Sequence, residues 1–157
     1  MQTETGRQRL PHRPSLEFVN QSVLQFVTIC ADKRRSLLAR PEIVSLLLDS
    51  WRKANRWLVG RYVVMPNHLH LFCAPATMPV TPLKQRILFW RADVTRRWPH
   101  PSEKPIWQKG FFDRQLRHGE SYRQKWLYLW GKSNQRWPCK TAGRLAVPRR
   151  TQPDSLA

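Results

Sequence analysis

The stretch YVVMPNHLHLF, Tyr62–Phe72, decides the fold. The run Trp57–Met65, WLVGRYVVM, is rich in β-branched and apolar residues, and His68–Ala74, HLHLFCA, resumes that character after Pro66-Asn67. Pro-Asn between two such runs is a turn signal, so the runs read as strands paired antiparallel. Side chains alternate across a strand. His68 and His70 therefore share one face, while Leu69 and Leu71 point the other way into a core. Two neutral imidazoles at i and i+2 can chelate one divalent cation, leaving positions for another ligand, water or a phosphate oxygen. Imidazole suits several first-row metals, so the spacing does not name the ion. Taken alone, the pattern also describes two hydrogen-bonded surface histidines.

Working outward, SVLQFVTICA (Ser22–Ala31) reads as a strand, followed by the basic loop DKRRS. Arg40–Arg56 reads as a helix, with Pro41 in its first turn and Ile43, Leu46, Leu47 and Trp51 at helical spacing. Thr81–Pro99 reads as a second helix with Leu83, Ile87, Trp90 and Val94 on one face. Ile106–Arg117 reads as a fourth strand kinked at Gly110, and Gly119–Trp130 as a third helix. The class is α+β, in the order β-α-β-β-α-β with an added C-terminal helix. That order is the ferredoxin-like split βαβ pattern, which predicts a four-stranded antiparallel sheet with two helices on one face. The other face is left for a site, and the last helix can close over it. The chain divides into a basic lead-in (1–20), one folded domain (21–130) and a tail (131–157).

Charge narrows the function. Lys and Arg number 28 against 10 Asp and Glu, a formal net charge of +18 in 157 residues. Such an excess attracts a polyanion, and nucleic acid fits best. No apolar run approaches the roughly 18 residues that span a bilayer. No stretch reads as a clean basic amphipathic helix, so a membrane surface is the weaker partner. The start lacks the apolar region of a signal peptide, which gives a soluble, cytoplasmic expectation. The three cysteines, Cys30, Cys73 and Cys139, are odd in number and widely spaced, and suggest neither a zinc knuckle nor a disulfide framework.

Three separated blocks resemble the REP-associated tyrosine transposases, members of the HUH family of single-tyrosine transposases and relaxases. The blocks are YVVMPNHLHLF, with His68-Leu69-His70 as the His-hydrophobic-His motif, then IWQKGFFDRQLR, with Trp107 and Phe111-x-Asp113-Arg114-x-x-Arg117, then ESYRQKWLYLW. The resemblance runs from about Phe26 to Trp130. It implies a DNA-binding transposase that cleaves and rejoins single-stranded or hairpin DNA through a covalent 5′-phosphotyrosine. It further implies a divalent metal, Mg or Mn, held by His68 and His70, with Tyr128 as nucleophile and Tyr122 as a structural tyrosine. The protein would act as a monomer or homodimer.

Helix geometry agrees on the tyrosines. At about 100° per residue, Tyr122, Trp126, Leu129 and Trp130 form one stripe, and Tyr128 falls nearly opposite, beside Gln124 and Lys125. An amphipathic surface tyrosine has the same pattern. Lys33, Arg34 and Arg35 in the first loop, with Arg114, Arg117, Arg123 and Lys125, are candidate phosphate contacts. Trp90, Trp98 and Trp107 are candidates for base stacking or for core, with core favoured for Trp90.

The tail departs from the resemblance. The family continues after the tyrosine with Asn-Pro, then Gly-Leu, then an Asp-Trp-Pro-Tyr-like segment. Its asparagine, which looks like the third metal ligand, falls four residues on, where this chain has Lys132. An ammonium offers no lone pair. The segment from Gly131 lacks apolar periodicity and resembles out-of-frame coding. Read one base along, the codons of Gly131-Lys132-Ser133 permit Glu-Asn-Pro. Those of Trp137-Pro138 force Gly, and Pro138-Cys139 permits Leu-Val. Arg144-Leu145-Ala146-Val147 permits Asp-Trp-Pro-Tyr, and Arg149-Arg150 permits Gly-Glu. A single-base frame change between Tyr128 and Gly131 is the expectation, with metal binding and cleavage impaired. The alternative function is a DNA-hairpin-binding protein, derived from a decayed transposase, that does not cut.

Overall fold

A computed structural model describes residues 24–53, 56–77, 79–116, 119–136 and 141–145; within the last helix, side chains are described for 122–129 only. The strands are β1 (Leu24–Cys30), β2 (Trp57–Met65), β3 (His68–Pro75), β4 (Phe112–Leu116) and β5 (Thr141–Arg144). The α-helices are α1 (Pro41–Lys53), α2 (Leu83–Arg96) and α3 (Gly119–Arg136). The strands form a five-stranded sheet in the order β4-β1-β3-β2-β5, and every neighbouring pair is antiparallel. The protein is thus α+β, with one strand more than the four expected.

The hairpin forms where the alternation places it. Met65 pairs with His68 across Pro66-Asn67, and Val64 pairs with Leu69. Leu69, Leu71 and Cys73 on β3, with Val27 and Ile29 on β1, enter the main core beneath α1 and α2. From α1 come Ile43, Val44, Leu47 and Trp51, and from α2 Ile87, Trp90 and Val94. Full burial of each such side chain contributes about 1.5–3 kcal/mol. Arg97 joins the two helices, with Nη1 2.5 Å from Asp49 Oδ2 and Nη2 2.5 Å from Asp93 Oδ2.

The ends of α1 and α2 shift by one to three residues, and three departures from expectation are larger. The fourth strand begins at Phe112 rather than Ile106. Gly110, at φ 72°, bends the chain there, and Trp107 makes only an isolated bridge to Ala31. α3 runs on to Arg136, beyond Trp130. The segment expected as a tail also supplies β5 on the open edge of β2. Leu145 is buried in the main core and its amide donates to Gly60 O at 3.1 Å. A Cβ on Gly143 would lie 2.5 Å from Tyr62 Oη, so only glycine fits that approach. The lead-in 1–20, Arg117 and Cys139 lie outside the described residues.

A bulge in β2 serves the opposite face. Val59 pairs with Cys73 and Tyr62 with Leu71, so Gly60 and Arg61 together oppose one residue. Arg61 thereby reaches α3, its guanidinium 4.9 Å from the Trp126 ring and 5.4 Å from the Tyr122 ring.

Candidate active site

The second face of the sheet is half covered. Phe26, Phe72 and Leu129 are buried together, with Leu24, Leu116, Tyr122 and Trp126 packed against them. This is the stripe expected of the last helix. Its described members lie on the sheet, and Tyr128, 52% exposed, lies off it. His68 and His70 occupy the same face toward the Pro66-Asn67 turn, in register with Cys30 and Thr28 of β1.

The imidazoles are held from behind. His68 Nδ1 lies 2.6 Å from Asn67 Oδ1, which only accepts, so Nδ1 carries the proton and Nε2 keeps a lone pair. His70 Nδ1 lies 2.8 Å from Thr28 Oγ1. The rings meet edge to face with centroids 4.9 Å apart, and His70 also stacks on Phe26 at 5.3 Å. Burial, with the nearby Arg34 charge, pushes His68 down to about 4. Burial, then His68, Lys125 and Arg34, pushes His70 down to about 3. Both rings are therefore neutral near pH 7, the form that ligates a cation.

Two cations from separate elements approach this pair. Arg34 follows β1 in a turn where Lys33 and Arg34 adopt φ of 50° and 55°. Left-handed backbone at a residue with a Cβ costs about 1–3 kcal/mol, so the surrounding fold holds this turn in place. Lys125 comes from α3, with Nζ 4.9 Å from the Phe26 ring and 5.7 Å from the Tyr128 ring. Phe26 thus connects Lys125 and His70, and Lys125 connects Phe26 and Tyr128.

The other candidates separate. Lys33, Arg114 and Arg123 are exposed, and Arg114 shares the histidine face through its register with Phe26. Arg35 is engaged within the protein: it donates to Glu103 O at 2.7 Å and to Pro105 O, tying the first loop to the segment before β4. Trp90 and Trp98 are core, and Trp98 Nε1 donates to Glu103 Oε2 at 2.8 Å. Trp107 is partly buried and donates to Thr95 Oγ1 at 3.1 Å. Base stacking by Trp98 is thereby corrected, since its ring has no accessible face. Lys132 lies within α3, one turn beyond Tyr128.

Sequence reasoning missed Thr28 and Asn67. The signal for Thr28 was a hydroxyl within the apolar run LQFVTIC, legible only once β1 is set beside β3.

Solved structures share the fold, two of them at the following likeness. One is a REP-associated tyrosine transposase bound to a REP hairpin, with 19% identity over 85% of this chain and 82% of that chain, and a TM-score of 0.63. The other is a protein of Deinococcus radiodurans R1 described as a candidate transposase, with 16% identity over 77% of this chain and 98% of that chain, and a TM-score of 0.53. No protein-family model and no curated protein matches the chain. Among the described residues, no helix is long and apolar enough to cross a membrane.

Proposed function

We propose that this chain is a transposase-type protein of the HUH kind, acting on single-stranded or hairpin DNA in the cytoplasm. One observation carries the reading. Two imidazoles, each held through Nδ1 and meeting edge to face, stand on the half-covered sheet face, and the helix packed beside them presents Tyr128 and Lys125. The shared fold and the charge of +18 support it.

In this reading, Tyr128 Oη attacks a backbone phosphorus. An O–P bond forms to the tyrosine and the P–O3′ bond breaks. The DNA 5′ end is left as phosphotyrosine, and the departing 3′ oxygen takes up a proton. The phenol proton passes to solvent or to a nearby base. Arg34, Lys125, Lys33, Arg114 and Arg123 serve as phosphate contacts. His68 and His70 fit two positions of a divalent ion, Mg or Mn, through nitrogens not engaged by Asn67 or Thr28. When bound, such an ion polarises the scissile phosphate. Among the described residues no group of three His, Cys, Asp or Glu side chains converges. Lys132 stands where the resemblance expects the third ligand, so metal affinity and cleavage are weak.

That last point favours a second reading, a protein that holds a DNA hairpin without cutting it. Incubation with a hairpin-bearing single strand and Mn or Mg separates the two. A covalent adduct in the wild type that is lost in Tyr128→Phe supports the enzyme. Equal binding with no adduct in either protein supports the module. Cleavage as fast as in an intact family member would refute the impairment.

A further inference from the structure

Beside the histidines lies a cleft of about 150 Å³. Its lining includes Thr28, Cys30, Gln108, Lys109, Gly110 and Phe112. We propose that this cleft takes one unpaired nucleobase of a bound strand, stacked on Phe112, next to the phosphate at the histidine pair. The inference rests on the DNA reading above and adds a base-binding subsite to it.

Phe112 is the first observation. It is 60% exposed on β4, at the edge of the sheet. Its register partner is Thr28, which also pairs with His70. The phenyl ring therefore lies on the histidine face, two strand spacings from His70, about 10 Å. An apolar ring on an exposed edge strand is a liability for a protein unless something covers it. Aromatic platforms in a basic groove are how single strands are bound without sequence readout.

The cleft's size and chemistry are the second. Drug-sized ligands take roughly 300–1,000 Å³, so this volume suits a single planar ring system. Gln108 and Lys109 are exposed at its rim. An amide offers both donors and an acceptor to a base edge, and an ammonium offers charge to the adjoining phosphate.

The third is that the walls are fixed in advance. Gln108 N donates to Cys30 O at 3.0 Å. Arg91, from α2, donates to Gly110 O from beneath the loop. Trp107 Nε1, one residue before Gln108, is held by Thr95 Oγ1. A Cβ on Gly110 would meet nothing within 4 Å, so the mouth is open there. A rigid cleft loses little freedom when filled.

The test uses the full chain and a hairpin oligonucleotide with a single-stranded flank carrying 2-aminopurine at successive positions. One flank position is expected to change fluorescence on binding to the wild type, and not to Phe112→Ala. Phe112→Ala should bind about 5- to 150-fold more weakly, the equivalent of the 1–3 kcal/mol of one base–aromatic stack. Phe112→Trp should bind as the wild type does. Unchanged melting of both variants reports an intact fold. If the wild type binds with the usual salt dependence and Phe112→Ala binds equally tightly, the subsite is refuted while the DNA reading stands. If the wild type binds no such strand, both fall.

Discussion

Thr28 and His70 face each other across β1 and β3, with Oγ1 2.8 Å from Nδ1. Contacts of this kind fix which imidazole nitrogen is free and where it points. Thr28→Val keeps the side-chain shape and removes the hydroxyl. Mn affinity is expected to fall about 10- to 100-fold by calorimetry, with thermal stability nearly unchanged. Equal affinity in the variant would show that His70 is oriented by packing on Phe26 instead.

Lys132 supplies the second prediction. It stands one turn beyond Tyr128 on α3. Lys132→Asn restores a lone pair at that place. Mn binding should tighten, and the yield of Tyr128 adduct should rise with it, as read by calorimetry and by gel shift of the covalent product. The coding sequence gives an independent check. Codons for Asn-Pro and Trp-Pro-Tyr in the shifted frame are expected, and their absence would dispose of the frame change.

Gly143 tests whether β5 belongs to the sheet. Its missing Cβ makes room for Tyr62 Oη, and the Tyr62 ring packs on Trp51 at 5.5 Å. Gly143→Ala should destabilise the protein by about 1–3 kcal/mol in urea unfolding. No change would mean that β5 contributes nothing to the sheet.

Glu103 gives a pH dependence. Arg40 at 2.8 Å and Trp98 at 2.8 Å both donate to Oε2 and hold the carboxyl at about 2, against its ordinary 4.5. A depressed carboxylate adds stability above its unfolded value, and loses it as pH falls through the folded one. Stability should therefore decline between about pH 4.5 and pH 2. In Glu103→Gln that decline should be shallower, as followed by melting temperature across the range.

Much of this was legible in the chain. The Trp57–Pro75 hairpin was readable because two apolar, β-branched runs flank the turn signal Pro66-Asn67. The faces of α1 and α2 followed from Ile43, Leu47 and Trp51 and from Ile87, Trp90 and Val94. The shared face of the histidines followed from a period of two. What failed to show depends on partners distant in sequence. TAGR carries no apolar pattern, and becomes β5 because β2 offers an edge and Tyr62 a space that glycine fits. Trp98 looks like any aromatic in a basic stretch until Glu103 is seen accepting its indole N–H. The base-stacking candidate on the histidine face is Phe112, which sequence reading gave to a strand and not to a site.

Tyr128 is followed directly by Leu129, and Leu129 is buried against Phe26 and Phe72. The nucleophile candidate is therefore tethered one residue from the protein interior. A strand end joined to it would have no slack of its own and could travel only as far as α3 itself moves. Exchange of one DNA partner for another would then require the free 3′ end, rather than the protein-bound one, to be the end that leaves.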